Sequence, residues 1–493
     1  MSWLDNAVLL RHASAMSAEV PPLGIDPADW DPTPPGVRAV VQALLTQVQT
    51  LQGQVADLQA HLKQHSGNSS RPPSSDPPSA PPRPKRAPSG RPAGAQPGHP
   101  GHQRALLPPG QVDEFVVHRP TTCPHCQTVL PAALPTTEVL RQQVWEVPPV
   151  QPHVTEHQFP TVCCPHCQAA VRLPHPPEVP PGAFGSRLAA LVSLLHGRYR
   201  LSDRETVALL ADLCGLPLSL GSVPALCQTV STALAPVYAE VQAAMEAQAI
   251  ANVDETSWKE AGQRCWLWVA VTSVCTLFRL AQQRSAAALQ RLLGDDFAGI
   301  VGSDRYCAYS SLPVERRQLC WAHLKRNWQA FRERDGPVGE WGEEASQLID
   351  QLFAGWYRFR AGELDRAGLQ AQMAPVERDL RALVERGRDE LPWEKARGFC
   401  RDLLLVWPAL WTFVEVAGVE PTNNAAERAL RPAVLWRKGC FGTQSASGSQ
   451  FVAHILTVTT TCRQQERHVL PFLTEAVAAQ WAGRPAPTLI TTP

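Results

Sequence analysis

The sequence predicts a multidomain chain: an N-terminal coiled coil, a small cysteine ribbon and a helical stretch, then a mixed α/β core. Three observations predict it. Apolar residues from Val37 to Leu62 recur in alternating steps of four and three. Two Cys-x-x-Cys pairs follow. After Gln248 the helical period gives way to short buried strands separated by a single helix.

At 493 residues the chain is long for one domain, and roughly two to four are expected. Hydrophobic residues make up 44%, enough for real cores. Lys plus Arg is 45 and Asp plus Glu is 45, so net charge does not mark a nucleic-acid binder. Any such role rests on local clusters. No apolar run reaches the roughly 18 residues of a membrane span. The start, MSWLDNAVLLRHAS, lacks a signal-peptide core. The expectation is a cytoplasmic protein, associated with the bacterial nucleoid if it binds DNA. Its fourteen cysteines are then no disulfide framework.

After a tail at 1–36, Val41, Val48, Val55 and Leu62 take the a position of a heptad over 37–65, and Val37, Leu44, Leu51 and Leu58 take d. Mostly β-branched a with leucine at d favours a parallel two-stranded coil. A helix packed on its own domain is the alternative; the strict period favours self-association. Residues 66–110 are rich in Pro, Ser and Gly. They cannot bury enough surface to fold and read as an extended linker. Arg71, Arg83, Lys85, Arg86, Arg91 and Arg104 face a single acid there, Asp76. These cations keep a tether soluble, or lie along DNA phosphates with Lys85 and Arg86 foremost; the two readings are compatible.

The segments TTCPHCQ and TVCCPHCQ place Cys123 with Cys126, and Cys164 with Cys167, in a small domain at 111–180. Two such pairs some 40 residues apart are the pattern of a tetrahedral zinc ribbon. Four thiolates leave no open position, so this Zn²⁺ is structural. Cys163 competes with Cys164 as ligand, and VLRQQVWEV between the pairs reads as short strands. Residues 181–248 read as helices. Ser202 with Glu205 three on makes a capping box, Gly215 ends that helix, and Ser222 caps the next. Three such helices serve either as a helix-turn-helix reader of DNA or as plain scaffold.

The core at 249–475 opens on AIANVDETSW, read as a short strand ending in Asp254. Two strands, a helix and the strand FAGIVGSDRYCAY, ending in Asp304, follow. Strand, strand, strand, helix, strand is the pattern of a ribonuclease H-type core. In it the first and fourth strands are neighbours, which would bring the two aspartates together. A two-metal phosphoryl-transfer site needs a further anionic ligand, and its hard oxygens suit Mg²⁺ or Mn²⁺. VEPTNNAAERALRPAVLWRKG offers Glu427. Thr422 or Asn423 caps its helix, Asn424, Glu427 and Arg431 share a face, and Pro432 ends or kinks it. Taken alone, Glu427 and Arg431 read first as a surface ion pair. Glu255, next to Asp254, points to the opposite face of the strand, and Asp295 and Asp296 sit in a turn.

The zipper, NSSRPPSSD, QPGHPGH, the cysteine ribbon, VDET, SDRYCAY, CWAHLKRNW and NNAAERALRP occur together in this order. So arranged, the chain resembles transposases of the insertion sequence sixty-six family, from about Val37 to Glu475. The resemblance implies a DDE transposase with catalytic, metal-holding carboxylates Asp254, Asp304 and Glu427. It implies an all-helical insertion, here at about 335–415, and leaves a tail at 476–493. Arg305 stands where the family usually carries a small residue. The resemblance also implies DNA contacts near the scissile phosphate from His323, Lys325, Arg326 and Trp328, beside Arg431, Arg437 and Lys438. Its partners would be the terminal inverted repeats, target DNA and small companion proteins of the same element. Two other readings fit the residues: an inactive zinc-containing DNA-binding regulator, and a nuclease that cleaves without joining.

Overall fold

A computed structural model describes residues 27–69, 76–77, 80, 104–176 and 179–490. Lys85 and Arg86, with most of the basic linker, lie outside the described residues. The chain divides into two units, one of Met1–Arg83 with Arg326–Gly342, the other of Pro84–Lys325 with Glu343–Pro493.

The first unit holds a short helix α1 (Pro27–Trp30) and the long helix α2 (Pro35–Leu62). Proline in the first turn of α2 presets the backbone where no N–H partner is needed. Most of the seam is open along α2: Val37, Leu44, Val48, Leu51, Val55, Leu58 and Leu62 are between 47% and 78% exposed, and Val41 is half-buried. Beyond α2, Asn68 donates to Lys63 O (3.0 Å) and to Glu333 Oε2 (2.5 Å). Trp328 and Trp341 pack with ring centroids 4.4 Å apart.

In the second unit, β1 (Thr161–Cys163) and β2 (Ala170–Arg172) form an antiparallel hairpin, and Thr122 bridges Val129. VLRQQVWEV forms no strand, contrary to expectation. Its Leu140 and Val144 are 97% and 82% exposed; an alternating run becomes a strand only when a neighbour pairs with it.

Helix α3 (Ser186–Ser193) runs into a π turn (Leu194–Arg198) and is followed by α4 (Asp203–Cys214) and α5 (Ser222–Glu246). The capping box of Ser202 and Glu205 is present, and Gly215 ends α4 at φ 61°. Ser222 is not the cap: Gly221 holds that position, and Ser222 Oγ lies 2.8 Å from Ser219 Oγ.

The sheet comprises β3 (Ile250–Glu260), β4 (Gln263–Val271), β5 (Thr276–Ala281), β6 (Ile300–Ser303) and β7 (Arg317–Leu319), in the order β5-β4-β3-β6-β7. Helix α6 (Ala286–Leu293) precedes β6. β3, β4 and β5 are antiparallel, whereas β6 runs parallel to both β3 and β7. β3 does not stop at Asp254 but continues to Glu260, because β4 pairs with it to the end. Then come α7 (Trp321–Arg332), α8 (Pro337–Arg360), α9 (Arg366–Glu390), α10 (Glu394–Leu405), α11 (Pro408–Glu415), α12 (Asn424–Cys440), α13 (Ala446–Gln464) and α14 (Val469–Trp481). Helices α8 to α11 are the helical stretch between the strands and α12. Pro432 lies inside α12 without ending it.

One apolar core runs from Ala189 in α3 through the sheet to α12, α13 and α14, and reaches Leu489. Helices α3 to α5 therefore share this core with the sheet across the change of period. That change marks where helix gives way to strand, not where one core ends. Near the end of the described residues Leu489 is buried, and its N–H donates to Glu240 Oε2 (2.9 Å). No helix among the described residues is long and apolar enough to cross a membrane.

Candidate metal and nucleic-acid site

Strand register explains how residues fifty positions apart meet. The last parallel pair of β3 and β6 is Asn252 with Gly302. Asp254 and Asp304 each stand two residues further on. Asp254 Oδ1 accepts from the N–H of Glu255 (2.9 Å), and Asp304 Oδ1 from the N–H of Tyr306 (2.9 Å).

Glu427 is brought in by α12, which is fastened along β3 at both ends. Asn423 is the N-cap residue of α12 but makes no side-chain cap. Instead its Nδ2 donates to Val253 O (2.7 Å), one residue before Asp254. Its own N–H donates to Cys320 Sγ (3.2 Å), and Trp321 N–H donates to Pro421 O (2.9 Å). At the other end the Arg437 guanidinium donates to Thr256 Oγ1 (2.8 Å), Ser257 Oγ (2.6 Å) and Ser257 O (2.5 Å). Thr443 N–H donates to Lys259 O (2.8 Å) beyond it.

The carboxylates sense one another. Burial pushes the Asp254 carboxyl well above its usual range, and the charges of Glu255, Asp304 and Glu427 push it the same way. Such a field asks for cations. The three oxygens are not within one coordination sphere: among the described residues, only Cys320, His323 and Glu427 bring three donor atoms within 4.8 Å of one another. Carboxylate oxygens are hard donors of the kind Mg²⁺ and Mn²⁺ take.

Glu255 is spoken for. Its side chain is 1% exposed and is paired with Arg284. Arg284 Nε donates to its Oε1 and Tyr309 O–H to its Oε2, each at 2.5 Å. Arg284 also lies 3.9 Å from Asp304 Oδ2 and stacks on Tyr306, 3.4 Å from the ring centroid. Arg305 turns away onto the ring of Phe399 (4.6 Å) rather than filling the carboxylate cluster.

Several expected DNA contacts are otherwise engaged. Arg437 is half-buried against β3, and burial lowers its pKa. A guanidinium bonded to three backbone and hydroxyl oxygens is an anchor, not a free phosphate ligand. His323 faces Glu427, with Nδ1 3.7 Å from Oε1. Trp328 is buried at 1% exposure. Lys325 is exposed and pairs with Asp350 (2.5 Å). Arg326 is half-buried, whereas Arg431 and Lys438 are exposed on α12. Sequence reasoning missed Arg284, Tyr309, Cys320 and the structural uses of Asn423 and Arg437. Each depends on a partner distant in the chain, so no local spacing announces it.

The cysteine pairs form two like-folded knuckles. Cys123 N–H donates to Thr128 O and Gln127 N–H to Cys123 O; Cys164 N–H donates to Ala169 O and Gln168 N–H to Cys164 O, all at 2.9 Å. Gln127 and Gln168 share a left-handed φ of 60° and 58°. In this equivalence Cys164 corresponds to Cys123, while Cys163 pairs with Ala170 in the hairpin. Backbone N–H groups of Cys167 and His166 hold the Cys164 thiol below its ordinary pKa, and bonds to Thr128 lower that of Cys126. Amides aimed at sulfur favour the thiolate a metal needs. His125 and His166 are exposed.

Asp254 within β3, Asp304 just past β6, Glu427 on α12 and two thiol knuckles are the donor groups the chain offers to metals. The model of the Transposase IS66 family matches residues 182–451, and that of the zinc-finger binding domain of transposase IS66 matches 120–168. The chain belongs to the Transposase IS66 family. A third model, of a family of unknown function, matches 25–105. The uncharacterized protein y4hP of Sinorhizobium fredii is 24% identical over 401 residues, 74% of this chain and 72% of the relative. The uncharacterized protein y4qI of the same organism is 25% identical over 252 residues, 45% of each chain. With the family come DNA processing, DNA binding and zinc.

Proposed function

We propose that the chain is a DDE transposase with a ribonuclease H-like core, which cleaves transposon ends and joins the freed 3′-hydroxyl to target DNA. The observation that supports this reading is the parallel ladder of β3 and β6, which ends two residues before Asp254 and Asp304, together with the charges of Asp304 and Glu427 acting on the Asp254 carboxyl. Asp254, Asp304 and Glu427 are the ligands for two Mg²⁺ or Mn²⁺ ions. When bound, such ions supply a nucleophilic oxygen at neutral pH and neutralise the leaving oxygen. The residues' own work is positional. Asn423 and Arg437 hold Glu427 in reach of the aspartates, and Arg284 steadies Asp304 while keeping Glu255 out of the metal set. Arg431 and Lys438, exposed on α12, meet the phosphates of the bound strand.

The remaining parts serve assembly and grip. Cys123, Cys126, Cys164 and Cys167 hold one structural Zn²⁺. The open seam of α2 pairs with a second copy, since joining two ends takes two active sites. Lys85, Arg86 and the other linker cations lie along DNA. The domain order is zipper, arm, ribbon, then a catalytic unit that includes the helices from α3 to α5. Glu427→Gln tests the assignment: strand transfer should vanish while the circular-dichroism spectrum is unchanged. Transfer at the wild-type rate by that variant removes Glu427 from the site.

A further inference from the structure

The geometry points to a second metal site beside the carboxylates: Cys320, His323 and Glu427 bind one ion of the Zn²⁺ class. It uses only the placement of Glu427, and stands whether or not that carboxylate takes part in strand cleavage. Their three donor atoms lie within 4.8 Å of one another. His323 Nδ1 and Glu427 Oε1 are 3.7 Å apart, too far for a hydrogen bond. Two nitrogen or oxygen ligands of one tetrahedral zinc stand about 3.3 Å apart, given Zn–N and Zn–O bonds of about 2.0–2.2 Å. The pair needs to close by only a few tenths of an ångström.

Cys320 is 2% exposed. Burial raises its pKa, and backbone N–H groups of Asn423, His323 and Ala322 act against that rise, the N–H of Asn423 donating to Sγ at 3.2 Å. Amides converging on a buried sulfur stabilise a bound thiolate. A further buried acceptor, Asn423 Oδ1, finds no hydrogen bond among the described residues. Cys320 and His323 lie one turn apart at the start of α7, and Glu427 is in the first turn of α12. One ion would tie the two helices together.

Ligand chemistry separates this ion from the catalytic pair. One thiolate, one imidazole and one carboxylate suit Zn²⁺ or Co²⁺ and not Mg²⁺. With three protein ligands, a fourth position is left for water or a substrate oxygen. A carboxylate has two oxygens, so Glu427 can present one to a soft ion and one to a hard ion.

The test is metal stoichiometry on the full chain, stripped of metal, reloaded with Zn²⁺ and passed over a weak chelator. The wild type should retain one ion more than His323→Ala and Cys320→Ala. A Cys123→Ser/Cys126→Ser variant should lose only the ribbon's ion. Co²⁺ in that ribbon variant should show a sulfur-to-cobalt charge-transfer band, which Cys320→Ala added to it abolishes. If the ribbon reading alone is wrong, the wild type holds one ion and His323→Ala none. Equal metal content in the wild type and both α7 variants overturns the proposal. Circular dichroism checks each variant; should Cys320→Ala unfold, His323→Ala decides, because His323 is partly exposed.

Discussion

Asp254 carries the site's electrostatic tension. Burial comes first, and the charges of Glu255, Asp304 and Glu427 add to it in raising its pKa. A carboxyl raised in the folded chain binds more protons folded than unfolded. Its favourable contribution is complete below the ordinary carboxylate range and is lost as pH rises through the folded value. Metal-free protein should therefore lose stability as pH climbs above that range. Asp254→Asn should raise the metal-free Tm at neutral pH and flatten its pH dependence. Mg²⁺ should raise Tm in the wild type and much less in this variant. Thermal scans across pH, with and without Mg²⁺, check both; an Asn variant less stable than wild type at neutral pH contradicts the reading. Arg437 and Arg431 make a second contrast. Arg437→Ala breaks charge-assisted bonds to Thr256 and Ser257 and should cost about 1–3 kcal/mol of stability. Arg431→Ala should leave stability alone and reduce the salt slope of DNA binding by about 1.

At the scale of elements, legibility follows range. The capping box of α4 and the φ 61° glycine that ends it depend on neighbours in sequence, and were readable there. So was the heptad of α2, a single helix from Pro35 to Leu62. Asp304 lies just past the end of β6, as the sequence suggested, whereas Asp254 sits inside β3, which runs on to Glu260 because β4 supports it. Asn423 looked like a cap and is a clamp, since Val253 O is a buried acceptor that needs a donor more than the helix end does. Arg437 looked like a phosphate ligand for the same reason: a free cation and an anchored one share a letter. The unpaired extended segment around Leu140 shows the reverse error, a strand pattern without a partner. Helix α2 supplies the prediction at this scale. Its seam is exposed in one chain, so Val48→Asp with Leu51→Asp should shift the protein toward monomer in sedimentation and leave its helix content in the isolated chain nearly intact. An unchanged mass distribution would remove the zipper from assembly.

On the proposed reading the whole molecule joins a catalytic unit to devices for holding DNA and a second copy. The apolar core from Ala189 to Leu489 makes the helices before the sheet part of that unit. Truncating before residue 250 should therefore unfold the sheet rather than release it. A limited-proteolysis pattern with a stable fragment beginning near residue 250 would contradict this. Reaction chemistry remains the central claim, and strand joining separates a transposase from a nuclease and from a silent DNA-binding regulator. The most direct measurement is a cleavage and joining assay with the element's own end DNA, Mg²⁺ or Mn²⁺, and Asp304→Asn beside the wild type. The account expects cut and joined products from the wild type and neither from the variant, with equal DNA binding by both. Joined products from Asp304→Asn, or cleavage without joining by the wild type, would contradict it.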